Sequence, residues 1–78
     1  MRKMKQIKKI TAIIQREGEG YWSLCPELDL ASQGDTLEEA RSNLIEALEL
    51  FFETAAPSEI EHRLNNEVFV EPLEIKVG

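Results

Sequence analysis

The stretch GYWSLCPELDLASQGDTLEEA, residues 20–40, decides the fold, because it places two strands, a proline break and a helix start in one run. Residues 21–25 are aromatic and β-prone, which predicts a strand. Pro26 ends that strand, since proline donates no hydrogen bond to a sheet ladder. We expect a third short strand to return over residues 28–33.

The main helix is predicted to begin at Leu37 and to run to about Ala55. Thr36 and Glu39 have the spacing of a capping box, in which each side chain satisfies a free backbone N–H group. Gly34, just upstream, suits a backbone angle that a side chain would resist. At helical spacing the apolar residues share one arc, which contains Leu37, Ala40, Leu44, Leu48, Phe51, Phe52 and Ala55. The helix should therefore lie flat on the sheet, with its glutamates towards solvent.

The first strand is predicted over residues 7–15, which are rich in β-branched side chains. Residues 17–20 have the composition of a turn, so the first two strands should form a hairpin. Both faces of this hairpin carry apolar side chains. That pattern suits a sheet that is covered by a helix on one side and partly by a partner on the other.

Two further elements are predicted after the main helix. Pro57 should end that helix, and Ser58 and Glu61 again have capping-box spacing, so a short second helix is expected through Leu64. Residues 68–77 alternate between apolar and polar and predict a returning edge strand. The alternation changes parity at Pro72, which favours a bulge or two separate short strands.

The predicted fold class is therefore α+β: a three-stranded antiparallel sheet, one main amphipathic helix, a short second helix and a returning edge strand. A chain of 78 residues forms one domain with a single small core. Chains of this size often self-associate to bury enough apolar surface, so we expect a homo-oligomer, a dimer or a tetramer. No segment approaches the roughly 20 apolar residues of a membrane span, and we expect a cytoplasmic protein.

Charge is distributed unevenly along the chain. Residues 1–16 contain six basic side chains and no acidic one, whereas the remainder contains three basic side chains and all fifteen acidic ones. The acidic body would repel a phosphate backbone and attract a basic protein. Direct DNA binding is therefore not expected. A charged surface that serves only solubility is the alternative interpretation.

The residue types needed for catalysis are present but scattered. Cys25 is the only cysteine and lies in an apolar run, which predicts a buried, inert thiol. His62 is the only histidine, and neither residue has neighbours at metal-ligand spacing. The close glycine pair, Gly18 and Gly20, is interleaved with glutamates that would repel a phosphate. We predict no enzyme, no metal and no cofactor.

Two sequence motifs, at the spacing found here, resemble those of the HicB family of bacterial antitoxins. They are Tyr-Trp-x-x-x-Pro-Glu-Leu and Gln-Gly-Asp-Thr-Leu-Glu-Glu-Ala. The resemblance extends from about Ile10 to Phe52. It implies a domain that neutralises a small, basic, mRNA-cleaving toxin of the HicA type by covering the toxin's RNA-binding face and catalytic histidine. Two-domain members carry a C-terminal DNA-binding module, which residues 1–78, a single HicB-like domain, are expected to lack.

Five residues are candidate partner contacts. Tyr21 and Trp22 are aromatic anchors of the kind that interfaces favour, although core packing also explains them. Glu27 and Asp29 follow Pro26 in the predicted loop, and Leu50 falls on the polar side of the main helix. The alternative function is that of an orphan homo-oligomeric HicB-fold domain with a structural or regulatory role and no toxin.

Overall fold

The computed structural model describes residues 9–78 and shows a three-stranded antiparallel sheet followed by two helices. This arrangement confirms the predicted α+β class. In chain order the elements are β1 (Ile13–Glu17), β2 (Gly20–Cys25), β3 (Leu30–Gly34), α1 (Leu37–Thr54) and α2 (Pro57–Leu64). Within the described range, no helix is long and apolar enough to cross a membrane.

The sheet has the strand order β1-β2-β3, so β1 and β3 are both edge strands. A two-residue turn joins β1 to β2, and its first residue, Gly18, has a φ of 62°. Glycine is the residue that hairpin turns with a positive φ at this position favour. The hairpin is therefore confirmed.

The first strand begins at Ile13, later than predicted. Residues 7 and 8 lie outside the described range, and residues 9–12 are described but belong to no strand. The backbone N–H of Thr11 donates to the carboxylate of Glu27, at 3.1 and 3.0 Å from its two oxygens. The Glu27 side chain thus accepts the hydrogen bond that the Thr11 N–H, in a longer β1, would donate to a neighbouring strand.

The third strand begins at Leu30, because residues 26–29 form a turn. Asp29 lies in this turn with a φ of 56°, a left-handed conformation that aspartate tolerates better than most residues. Leu28 is fully buried. The apolar character that suggested a strand at Leu28 reflects its place in the core.

The start of α1 is capped as predicted, with one shift. The Glu39 N–H donates to the Thr36 hydroxyl at 3.0 Å, and the Glu39 carboxylate accepts from the Asp35 N–H at 2.8 Å, one residue before the cap. Gly34 is needed for space and not for a positive φ, which corrects the prediction. A Cβ atom there would lie 2.5 Å from the backbone nitrogen of Ala40.

The core lies between α1 and one face of the sheet. The fully or almost fully buried apolar residues are Cys25, Leu28, Ala40 and Leu44. Ser23 is also fully buried, and its hydroxyl donates to the carbonyl of Ala40 at 2.9 Å. This hydrogen bond ties the middle of β2 to the first turns of the helix without leaving a buried polar atom unpaired.

The second helix begins two residues earlier than predicted and has a different cap. Pro57 is its first helical residue, a position that proline favours. Ala56 is the N-cap, with no side-chain hydrogen bond. The predicted capping box of Ser58 and Glu61 is therefore wrong, because Ser58 already lies inside the helix.

Arg63 holds α2 against the rest of the domain. Its guanidinium donates to the carbonyl of Leu28 and to the Glu59 carboxylate, at 3.3 Å for the second, and lies 5.5 Å from the ring centroid of Phe51. One side chain thus contacts α2, the turn before β3 and α1.

The predicted returning edge strand is wrong for the single chain. Residues 67–78, here called the C-terminal arm, belong to no strand. Their backbone groups form no hydrogen bond with other described residues. An alternating pattern indicates strand propensity, but a strand forms only where a neighbouring edge is present to pair with it.

Candidate protein-binding surfaces

The outward face of α1 carries a row of exposed residues that are mostly acidic, here called the acidic stripe. At 3.6 residues per turn, positions separated by three and four residues lie on one side of a helix. The acidic stripe consists of Glu38, Ser42, Glu46, Glu49, Leu50 and Glu53, all of which are exposed. Leu50 is 60% exposed and lies at the margin of the stripe.

The acids of this stripe are not neutralised within the described part of the chain. The one ion pair formed within residues 9–78 joins Arg63 to Glu59 on α2. Glu49 and Glu53 are like charges four residues apart, a pairing that slightly destabilises a helix. The stripe is therefore poorly suited to stabilising its own helix and well suited to attracting a cationic surface.

A second surface is the face of the sheet that α1 leaves open. Residues paired across antiparallel strands share a face, and the register places Ile13, Gln15, Trp22, Leu24, Ala31 and Gln33 together. Ile13, Trp22 and Leu24 are half-buried, whereas the other three are exposed. The apolar residues are grouped towards β1 and β2. Within residues 9–78, the sheet is thus covered by a helix on one side only, as the hairpin pattern predicted.

Tyr21 and Trp22 lie on opposite faces of the sheet, because successive strand residues point to opposite sides. The Tyr21 hydroxyl accepts a hydrogen bond from the Arg16 guanidinium at 2.9 Å, and the guanidinium carbon lies 5.3 Å from the ring centroid. Trp22 lies on the open face, opposite Gln15 and Gln33. A partner that lies flat on the open sheet face would therefore contact Trp22 and not Tyr21.

Glu27 forms an internal clamp. Besides the Thr11 N–H, its carboxylate accepts from the Thr11 hydroxyl at 2.7 Å and from the Cys25 thiol at 3.5 Å. Partial burial raises the pKa of Glu27, but the hydrogen bonds from Thr11, from its own backbone and from Cys25 outweigh it, so the pKa is lowered overall. Glu27 therefore fixes the segment before β1 to the turn after β2.

Asp29 and Leu50 are the two candidate contacts whose side chains are most free to meet a partner. Asp29 is exposed in the turn before β3. Leu50 lies on α1, within the acidic stripe. Of the five predicted contacts, the structure thus places Leu50 on the charged surface, Trp22 on the open sheet face and Glu27 in the clamp.

The groups that carry chemistry are separated. Cys25 is fully buried, and its burial raises the pKa of the thiol, with a further increase from Glu27. His62 is exposed on α2. Across residues 9–78, no three side chains of the metal-binding types lie close enough together to hold a metal ion.

A shallow cleft of about 680 Å³ lies at the hairpin end of the sheet. Tyr21, Trp22 and Asn43 line it together with three acids, Glu17, Asp35 and Glu39. Those carboxylates give the cleft a negative potential, which disfavours nucleotides and other phosphate ligands. The arrangement does not resemble a phosphate cradle.

The sequence pattern placed the glutamates of α1 towards solvent, and Glu46, Glu49 and Glu53 were not among the predicted partner contacts. One feature of the neighbouring sequence distinguishes these three glutamates from residues whose charge is balanced. Each lacks a basic residue three or four positions away in the sequence that would neutralise it. A search for unbalanced charge on helix faces would have identified the stripe.

Two curated proteins of Synechocystis sp. are similar to this chain. UPF0150 protein ssr1765 is 40% identical over 75 residues, which cover 94% of this chain and 94% of the relative. UPF0150 protein ssl0738 is 47% identical over 47 residues, covering 58% of this chain and 65% of the relative. No family model matches the chain, and no solved structure matches it.

Proposed function

The chain belongs to the UPF0150 family, and we propose for it the role that its resemblance to HicB antitoxins implies. It binds and neutralises a small basic toxin of the HicA type that cleaves mRNA. The acidic stripe is the observation that carries the proposal. Its four glutamates face solvent along one helix, and none of them forms an ion pair within residues 9–78.

The mechanism is occlusion. A toxin that binds RNA presents a cationic surface, and the acidic stripe offers negative charges where RNA would offer phosphates. Complementary potentials accelerate encounter and fix the orientation of the complex. Leu50 adds an apolar contact at the margin of the charges, where it can bury against a partner. The bound domain covers the toxin's RNA-binding face and its catalytic histidine, and substrate cannot enter.

This role does not require chemistry from the domain itself. Cys25 is buried and His62 lies apart from it on an exposed helix. The protein acts as a stoichiometric inhibitor and not as an enzyme. Because its target acts on mRNA, the proposed site of action is the bacterial cytoplasm.

The second candidate is an orphan homo-oligomeric domain without a toxin. It is favoured by two apolar regions that are left uncovered by the described residues 9–78, the open sheet face and the C-terminal arm. This candidate predicts that purified chain associates with itself and binds no basic protein.

The experiment is affinity purification of the tagged chain, expressed at native levels in its own host, followed by an RNA-cleavage assay on any small basic protein recovered. We expect the recovered protein to cleave RNA alone and to be silenced by stoichiometric addition of the chain. The complex should dissociate as salt is raised, since salt screens exposed charges. Recovery of the chain alone, or of a partner whose RNA cleavage the chain leaves unchanged, would contradict the proposal.

A further inference from the structure

The C-terminal arm exposes more apolar surface than any other part of the described chain. Its large apolar side chains are mostly exposed, with values of 74% for Phe69, 61% for Val70, 82% for Leu73, 78% for Ile75 and 88% for Val77. Scattered apolar residues are normal on a protein surface, but five within nine positions form a continuous segment that favours burial against a partner.

The arm also has the pattern of an edge strand. After Pro72, the residues Leu73, Ile75 and Val77 alternate with Glu74 and Lys76 over five positions. Strict alternation over such a length is typical of a half-buried strand. Proline lacks an N–H donor, so the part of the arm that can pair fully begins at Leu73.

From these observations we propose that Leu73–Val77 of one copy pairs with the free edge of β1 in a second copy, so that two chains exchange their arms. A fourth strand is thereby added to each sheet by the partner. The proposal concerns self-association of the chain and does not rest on the proposed toxin.

Among residues 9–78, no strand pairs with the outer edge of β1, which is its free edge. In a two-residue hairpin the residues that flank the turn, Glu17 and Gly20, exchange hydrogen bonds, and hydrogen-bonded pairs then alternate along the ladder. Ile14 and Arg16 therefore direct their backbone N–H and C=O groups away from β2. Helix α1 packs mainly over β2 and β3, which leaves β1 the less covered edge strand.

The edge of β3 is less suited than the edge of β1 to pair with the arm. The side-chain amide of Asn43 donates to the backbone carbonyl of Gln33 at 2.7 Å, which occupies an acceptor on that strand. Acidic residues, Asp29 and Asp35, flank β3 at its two ends. The arm contains three glutamates and one lysine, so it would be repelled there.

Charge favours β1 instead. Among the described residues, Lys9 precedes β1 and Arg16 lies on its free edge next to Glu17, whereas the arm carries three glutamates and one lysine. The geometry also favours a second copy over the arm's own sheet. Val68 and Phe69 lie beside Lys9 and Ile10, yet beyond this point the arm remains exposed and does not follow its own β1. Six residues lie between Asn66 and Leu73, and the seven steps from one Cα to the next can span roughly 20–25 Å, enough to reach a neighbouring domain.

The test combines mass measurement with amide hydrogen exchange on the full chain. Sedimentation equilibrium should give twice the 8.9 kDa chain mass at high concentration. Nuclear magnetic resonance should show slow exchange of the amides of Ile14 and Arg16 and of alternate amides within residues 73–77. Dilution into the monomer should remove this protection from both segments together.

Two double variants show which side of the C-terminal arm forms the dimer interface. L73D/I75D places charges on the apolar side of the arm and should weaken the dimer by at least about 100-fold, because two large apolar side chains are lost from the interface. E74Q/K76Q alters the opposite side and should leave dimerisation within about threefold of the native value. Circular dichroism of L73D/I75D should still show the native monomer fold, since the arm contributes nothing to the monomer core.

Three results would overturn the proposal. The first is a chain that stays monomeric at millimolar concentration, and the second is a monomer whose arm amides are already protected. The third is a dimer that L73D/I75D leaves intact or that protects the edge of β3 in place of β1. None of these results depends on a toxin, so the proposal can fail while the proposed function stands, and the reverse also holds.

Discussion

At the level of single residues, Glu27 shows how one side chain can serve the fold where its position suggested a partner contact. Its charge and its place after Pro26 made it a candidate for binding. The structure uses the same carboxylate to hold Thr11, sixteen residues away. No local pattern marks that pairing, because the two residues meet only after the sheet has formed.

The first prediction concerns the pH dependence that Glu27 confers. Its hydrogen bonds hold the pKa below the ordinary 4.5 although partial burial opposes them. The stabilisation is therefore present above pH 4.5 and is lost as the pH falls through the lowered folded-state pKa. E27Q should lower the free energy of unfolding by about 1–2 kcal/mol at pH 7. Urea unfolding across pH 2–7 checks this.

In that titration, the difference in stability between native protein and E27Q should shrink as the carboxylate becomes protonated. E19Q, in the exposed hairpin turn, is the matched control and should leave the pH profile unchanged. A difference between native protein and E27Q that stays constant from pH 7 to pH 2 would exclude the clamp as the source of the pH dependence.

The second prediction concerns Gly34. G34A should destabilise the fold by about 1–3 kcal/mol, because the added Cβ would meet the backbone of Ala40 and Glu39, which can move only with the helix. G18A is the comparison. Its Cβ has open space, and its cost of about 1 kcal/mol comes from the positive φ alone. Thermal unfolding of both variants distinguishes crowding from backbone strain, and a G34A protein as stable as the native one would refute the crowding.

The third prediction concerns Cys25. The buried thiol, with its raised pKa, should react with iodoacetamide much more slowly than an exposed cysteine. In increasing urea, the alkylation rate should follow the unfolded fraction measured by circular dichroism. Rapid labelling of the native protein would mean that the core around β2 opens without global unfolding.

At the level of secondary structure, the elements specified by neighbouring residues were predicted well. Helix α1 ends within one residue of the expected position, because its cap, its apolar period and the following proline are all local signals. The C-terminal arm was predicted wrongly for a related reason. Alternation between apolar and polar residues is local, but the strand that pairs with it is not. The face of the sheet that α1 covers also could not be chosen from sequence, since both faces carry apolar side chains.

The fourth prediction compares two motifs of the same spacing. T36A should cost about 1 kcal/mol, because the Thr36 hydroxyl caps the N–H of Glu39. S58A should change stability by less than about 0.5 kcal/mol, because Ser58 lies inside α2 and caps nothing. Chemical unfolding of the two variants provides the comparison. An equal loss in both would indicate that Ser58 caps α2 after all.

At the level of the whole molecule, charge and apolar surface are separated. The acidic stripe lies on the outer face of α1, whereas the largest unpartnered apolar surfaces are the open sheet face and the C-terminal arm. A domain organised in this way can associate with itself through its strands and still present α1 to a basic partner. Self-association and toxin binding are therefore compatible, because the two proposed roles use different surfaces. Sequence revealed the excess of acid, but the folded chain was needed to show which acids are aligned.

The most direct test of toxin binding through the acidic stripe compares two variants that remove the same number of charges. E46Q/E49Q/E53Q neutralises three of the four glutamates of the stripe, and E17Q/E19Q/E61Q neutralises three exposed acids elsewhere. The measurement is the dissociation constant of each variant for the basic RNA-cleaving partner at fixed, low salt. We predict that the stripe variant binds at least about tenfold more weakly than the control, since close charge pairs at an interface contribute to affinity. Equal weakening by both variants, or none by either, would contradict a toxin-binding role for α1.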